Sequence, residues 1–314
     1  MKVGPERRGV GPDDHHDVRP LFVQPETTDA KSMLEFLGIE LIPDREFAEL
    51  AEIISRHFGI KVGKNKLTLV TGRIHPIMEK YAFKSYADCI RALKNDDKGD
   101  LLSELANHIS TNHTGFFRED AHFQLLMKTV LPEIADRKRR AGDSDLRVWC
   151  AACSTGEEAY TLQFCLLKFF GADYTKWRAG VLATDISASA LDKAKTGVYT
   201  AQRVRTVPPD VLARYFRRID EEMYEVLPEV RREVTFRRLN LTRSEFPLKK
   251  AFDIIFCRNV MIYFDPSTRG TLVEKFRLWL ADGGCLFIGH SESIAEAART
   301  LRYVAPAVYA RTKG

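Results

Sequence analysis

The feature that most constrains this chain is an alternation that begins near residue 146. "LRVWCAA" reads as a short strand, "GEEAYTLQFCLLKFFG" as a helix stopped at Gly171, "WRAGVLATD" as a strand and "SASALDKAKTG" as a helix. "EVTFRRLNL" and "AFDIIFCRN" read as strands. "TRGTLVEKFRLWLADGG" is a helix closed by glycines, "CLFIGH" a strand, and "RYVAPAVYART" a terminal antiparallel pair. Short strands separated by helices imply a mostly parallel sheet covered on both faces. The handedness of such connections then favours a doubly wound α/β domain.

The preceding part differs. Residues 1–36 read as a flexible lead-in and 37–136 as a helical domain. In "DREFAELAEIISRHFGI", Phe47, Leu50, Ile53, Ile54 and Phe58 form an apolar stripe, and Gly59 is a stop. The charged "RKRRAGDSD" is expected to be a linker over 137–145, leaving 146–314 for the sheet domain. The charged stretch "RYFRRIDEEMYEVLPEVRREVTF" has two readings, a small excursion from the sheet or a solvated helix and connector.

A formal charge of +5 is too small to imply nucleic-acid binding, and no segment approaches 18 uninterrupted apolar residues, so no membrane insertion is expected. Cysteines at 89, 150, 153, 165, 257 and 285 sit largely in apolar runs, the pattern of buried thiols in a reducing compartment. Cys150 and Cys153 have CxxC spacing, but Cys150 lies in a strand and no second pair supplies zinc ligands, so packing is the reading. His15 and His16 lie in a polar tail and read as disorder. No metal is expected.

Ligands of open parallel sheets bind beyond the carboxyl ends of the strands. Four stretches fall there: "ACSTGEEAY", "VLATDIS", "FDIIFCRNVMIYFD" and "FIGHSES". In the first, Gly156 permits close backbone approach, and Glu157 and Glu158 either meet a cationic ligand group or favour the helix N-terminus. Neither GxGxxG nor a Walker loop is present, and two glutamates would repel a pyrophosphate. Asp185 follows the second strand, where it either accepts ribose hydroxyls or caps the next helix. Asn259 offers a donor and an acceptor together, and His290, Ser291 and Glu292 lie near the opening. A ribose-binding acid without a phosphate cradle suits S-adenosylmethionine, with Glu157 meeting its amino group and Arg118 a carboxylate. Arg118 belongs to "TNHTGFFREDAHF", in which Phe116, Phe117 and Phe123 read as core anchors and His113 and His122 as hydrogen-bonded surface or boundary residues.

With "TNHTGFFRE", "ACSTGEEAY", "ATDISASALDKAKTGVY", "FDIIFCRNVMIYF" and "GHSES" in order over about 42–312, the chain resembles the CheR-type chemoreceptor glutamate methyltransferases. The resemblance implies a class I methyltransferase sheet, an N-terminal all-helical domain and a small antiparallel β-subdomain inserted at about 216–238. It places Asn112, Thr114 and Arg118 at the cofactor and catalytic cleft, Glu157 on the methionine amino group, Asp185 on the ribose, and Asn259 and Val260 along the pocket. Arg118 would also orient the incoming carboxylate. His113 and Gly115 depart from the family's usual motif.

The implied reaction esterifies glutamate side chains of chemoreceptors and leaves S-adenosyl-L-homocysteine. The implied partner is the acidic coiled-coil region of methyl-accepting chemotaxis receptors. The basic residues Arg56, Lys61, Lys64, Lys66, Arg73, Lys80 and Lys84 of the helical domain suit docking there. The segment "RRIDEEMYEVLPEV" is a few residues shorter than in members that bind a receptor pentapeptide, so docking is expected not to need that tether. A cytoplasmic monomer recruited to receptor arrays is expected, with no nucleic-acid partner. A protein or RNA N-methyltransferase and a non-enzymatic S-adenosylmethionine-sensing adapter are the alternatives.

Overall fold

The computed structural model describes residues 28–110, 113–294 and 300–312. Of the expected lead-in, residues 1–27 lie outside the described residues, and Thr28–Phe36 is helix α1, not flexible chain. Its Leu34 is buried. Helices α2 (Asp44–Phe58), α3 (Leu67–Lys80), α4 (Tyr86–Lys94) and α5 (Asp100–Ile109) follow. The five apolar residues expected along α2 are all buried, in a core shared with Ile74, Ile77, Leu93 and Leu105.

The next helix does not belong to that core. It runs as α6 (Ala121–Leu125), a widened turn over Leu126–Val130, and α7 (Leu131–Arg140). Phe123, Leu126, Val130, Leu131, Ile134 and Ala135 pack in the core of the sheet domain. The expected boundary at 136 is therefore displaced to before Ala121. The first four residues of the expected 137–145 linker are the end of α7, and its last, Asp145, opens the first strand. Four cations in the last turn of α7 favour the negative helix C-terminus, and Arg137 and Lys138 reach Asp253 at 3.5 and 3.2 Å.

Among the described residues ten strands follow: β1 (Asp145–Ala151), β2 (Arg178–Asp185), β3 (Val198–Thr200), β4 (Phe216–Arg218), β5 (Met223–Val226), β6 (Val234–Arg238), β7 (Phe252–Cys257), β8 (Leu280–Ile288), β9 (Leu301–Ala305) and β10 (Val308–Arg311). Seven form one sheet in the order β6-β2-β1-β7-β8-β10-β9. The first five run parallel, and β10 pairs antiparallel with β8 and β9. Helices α8 (Glu157–Phe170), α9 (Ala188–Thr196) and α13 (Pro266–Trp279) connect its strands. Both faces are buried. Trp149, on central β1, packs among Phe246, Phe252 and Phe276 and donates its indole N–H to Thr184 Oγ1 at 2.9 Å.

The small antiparallel sheet has the order β3-β5-β4, with α10 (Ala201–Val204) and α11 (Pro209–Tyr215) between β3 and β4. It starts earlier than the expected 216–238 and ends at Val226. After α12 (Pro228–Arg231), β6 returns to the main sheet beside β2. Its alternating burial, with Val234 and Phe236 inside and the arginines outside, is that of a strand with one covered face.

Among the described residues no helix is long and apolar enough to cross a membrane.

Candidate active site

The strand order reverses between β1 and β7, with β2 and β6 on one side and β8 on the other. Such a switch point leaves a crevice beyond the carboxyl ends of the strands. Here the helical domain roofs it. Phe58, Ile60, Lys61, Lys66, Arg73 and Ile109 line it from above, and Ser154, Glu158, Asp185, Asn240, Arg258 and Asn259 from the strand ends.

Polar contacts seal the seam between the domains. The His57 carbonyl accepts from Asn240 Nδ2 at 2.6 Å, Lys61 N–H donates to the Tyr263 carbonyl at 2.9 Å, and Ser187 Oγ donates to Asn107 Oδ1 at 3.0 Å. Gly59 ends α2 at φ +67°, and a Cβ there would lie 2.6 Å from the Thr242 methyl. This glycine satisfies both the helix stop and the close approach of the two domains.

The loop after β1 is tightly wound. Ala152 and Ser154 have φ of 65° and 50°, and Gly156 has φ 97°. A Cβ on Gly156 would lie 2.8 Å from that of Ala194 on α9, so the glycine lets the loop meet this helix. The Ser154 and Ser187 N–H groups donate to Asp185 at 2.7 and 2.9 Å. Asp185 lines the cleft while almost wholly buried. Burial raises its pKa above the usual aspartate value, against the opposing pull of those backbone donors.

Glu157 is placed differently from the sequence expectation. It is fully buried, accepts from Thr155 Oγ1 at 2.7 Å and pairs with Arg203. It does not line the cleft; Glu158 does. Successive helical residues point about 100° apart, so only one of the pair can face the opening. Glu158 Oε2 pairs with Arg258 at 2.7 Å.

Thr114, Arg118, Asn259 and Val260 all line the cleft with Asp185. Asn112 lies outside the described residues. Arg118 donates to the His113 carbonyl at 2.8 Å. Asn259, at φ 57°, donates its side-chain amide to Glu119 at 3.2 Å. Glu292 is a brace for this loop: it accepts the N–H groups of Gly289, Asn259, Met261 and Ile262 at 2.6 to 3.3 Å.

Sequence reasoning missed Arg258. Its side chain is buried between Glu158 and Glu119, the latter 3.0 Å away, and it donates to the Arg118 carbonyl at 2.5 Å. Lost hydration disfavours its charge, but the two carboxylates outweigh that and raise its pKa. Burial alone would raise Glu119, yet Arg258 and the neighbouring donors bring it down to about 2. Asn240 and Leu241 were also missed, although the strand-end rule applied to "EVTFRRLNL" points to them. Phe116 and Phe123 are core anchors as expected, and His122 is buried instead of lying at a boundary. The described cysteines are all free and buried, and burial pushes Cys150 and Cys153 well above the usual thiol value. That is the environment of packing residues, not of reactive thiolates.

A mostly parallel sheet with an acidic residue at the end of its second strand and no phosphate loop defines the class: a class I S-adenosylmethionine-dependent methyltransferase with an all-helical N-terminal domain. Residues 112–309 match the CheR methyltransferase SAM-binding domain, and residues 45–110 match the CheR methyltransferase all-alpha domain. The chain is 37% identical over 273 residues to a chemotaxis protein methyltransferase of Borreliella burgdorferi, covering 87% of this chain and 96% of that one. It is 33% identical over 275 residues to the chemotaxis protein methyltransferase of Escherichia coli, covering 87% and 92%. It belongs to the CheR methyltransferase family.

Proposed function

We propose that this protein methylates glutamate side-chain carboxylates of chemoreceptors, forming γ-methyl esters. The observation that carries this reading is the cationic lining on one side of the cleft, where Lys61, Lys66, Arg73 and Arg118 face the strand ends. Such a lining draws in an anionic acceptor, and the relatives at 37% and 33% identity are chemotaxis protein methyltransferases.

S-adenosylmethionine fits the strand-end side, because acceptor-only carboxylates suit its hydroxyl and ammonium donors and would repel phosphates. Asp185 takes the ribose hydroxyls. Glu158, which faces the cleft, takes the amino group in place of Glu157. Asn112, Thr114, Asn259 and Val260 complete the pocket. The sulfonium supplies an activated methyl group with a neutral thioether as leaving group.

The acceptor is already ionised near neutral pH, since a glutamate has a reference pKa of about 4.3. The carboxylate oxygen bonds to the methyl carbon as the carbon–sulfur bond breaks and its electron pair stays on sulfur. No proton moves, so the chain needs no general base and the step needs no Lewis acid. The protein's part is in-line alignment and exclusion of water. Arg118 orients the carboxylate.

The basic helical domain docks on the acidic coiled-coil region of the receptor. Three of its cations are engaged locally, Arg56 with Glu52, Lys64 with Asp44 and Lys80 with Glu104. Lys61, Lys66 and Arg73 face the cleft. The β4–β5 turn supports docking without a receptor pentapeptide. It is short and acidic, and Asp220 folds back on the N–H groups of Glu222 and Met223 at 2.8 Å. A negative turn suits a peptide's terminal carboxylate poorly. A monomer recruited to cytoplasmic receptor arrays goes with this reading.

Transfer of a labelled methyl group to receptor-containing membranes, followed by mild alkali, tests the chemistry. Volatile labelled methanol is expected. Alkali-stable label would mean nitrogen or carbon methylation and overturn the acceptor.

A further inference from the structure

One cluster has no part in the proposed transfer. Glu119, His122 and His290 do not line the cleft, yet one ligand atom from each lies within 4.8 Å of the others. The Nδ1 atoms of His122 and His290 each stand 3.6 Å from the same Glu119 oxygen, Oε2. The two imidazole centroids are 4.4 Å apart. We propose that these three residues bind a divalent transition-metal ion of the zinc class.

His122 is the residue that most needs a ligand. It is 2% exposed, and neither ring nitrogen has a hydrogen-bond partner. A neutral imidazole carries one donor and one acceptor, and buried polar groups of this kind are ordinarily satisfied. Its neighbours leave Nδ1 facing a carboxylate at a separation too long for a hydrogen bond. In a tetrahedral site with bonds of 2.0–2.2 Å, adjacent ligand atoms stand about 3.3 Å apart, close to the 3.6 Å that separates each imidazole Nδ1 from Glu119 Oε2. Two nitrogens and one carboxylate select zinc-class ions over magnesium or calcium, which take oxygen ligands.

The surroundings hold the carboxylate as outer partners hold metal ligands. Asn259 Nδ2 donates to Glu119 Oε1 and the His290 N–H to Oε2, both at 3.2 Å. Arg258 opposes a cation, since its guanidinium is 3.0 Å from Oε2. Glu158 shares that guanidinium at 2.7 Å and so draws part of its charge away from Glu119. His290 is 43% exposed and gives access for the ion and for a water as fourth ligand. The ion's role is structural: it ties the segment entering α6 to the turn after β8.

The test uses the full chain carrying His15→Ala and His16→Ala, so that the N-terminal histidine pair adds no binding. After chelator treatment, Zn2+ alone is added, and stoichiometry and affinity are read by competition with a chromogenic chelator. One equivalent is expected, with Co2+ giving the visible spectrum of a four-coordinate nitrogen–oxygen site. Affinity should fall about 100-fold or more in His290→Ala and in His122→Gln. It should not change in His75→Ala, which removes a surface histidine paired with Glu79. His290 is exposed, so its variant reads the site even if the His122 variant fails to fold. Absence of a bound equivalent, or binding that survives His290→Ala, would overturn the proposal.

Discussion

Asp185→Ala probes the cofactor side of the cleft most directly. The carboxylate holds two backbone N–H groups, at 2.7 and 2.9 Å, and still lines the cleft. A hydrogen bond to a charged group contributes about 1.5–3 kcal/mol. Two ribose hydroxyls on Asp185 set an upper limit of about 6 kcal/mol, and water entering the vacated space recovers part of it. We expect a loss of about 2–4 kcal/mol, or roughly 30- to 1000-fold in affinity. Asp185→Asn is no silent control, because its amide would set N–H against one of the serine N–H donors. Burial raises the Asp185 pKa, while hydroxyl donors favour the ionised form. Affinity should therefore fall as pH drops through the raised pKa, with a proton released on binding in that window. Calorimetry with S-adenosyl-L-homocysteine at about pH 7 and about pH 5 reads both effects without turnover. An Asp185→Ala affinity within about threefold of the parent, or a parent affinity that rises towards acid, would refute the assignment.

Arg118→Ala should lower methyl transfer about 100-fold with little change in melting temperature, since among the described residues its side chain donates one hydrogen bond, to the His113 carbonyl; unchanged turnover would remove it from the mechanism. Gly156→Ala forces a side chain onto φ 97° and to 2.8 Å from the Ala194 Cβ, so urea unfolding should show a loss of about 1–3 kcal/mol. Arg258→Met strands two carboxylates in a buried site and should cost about 3–5 kcal/mol on the same assay; a neutral result would mean that Glu119 and Glu158 find other partners. Titration with a peptide carrying the receptor pentapeptide should show no saturation, and micromolar affinity would refute tether-independent docking.

What the sequence made legible followed one rule: residues just after a parallel strand face the opening. It located Asp185 at the end of β2 and Asn259 after β7, and it reaches Asn240 after β6 when applied there. It failed at the GEE motif, because Glu157 and Glu158 have the same chemistry and only their angle around α8 separates them. Arg203, 46 residues further on, takes Glu157. Arg258 was hidden for the same reason, since its partners lie 100 and about 140 residues away. The misplaced domain boundary has a different cause. "RKRR" has a linker's composition, but at a helix C-terminus those charges are stabilising, and the apolar stripe of α6 and α7 does not reveal which core it faces.

The two arginines beside the cleft show why composition could not assign the chemistry. Arg258 is the more buried and the more heavily paired. Its charge is spent on Glu158 and Glu119, so it fixes the loop that carries Asn259 and has no fork left for a substrate carboxylate. Arg118 is half-buried and bonded to a carbonyl, which leaves its charge uncompensated by that contact. A carboxylate nucleophile needs this second kind of partner. A tight, dry ion pair would hold its electron density on the guanidinium, whereas a partly solvated arginine can aim it and leave the attacking oxygen reactive. The fold supplies both kinds within one cleft by burying the arginine at the end of β7 and keeping the other on the loop under the helical roof.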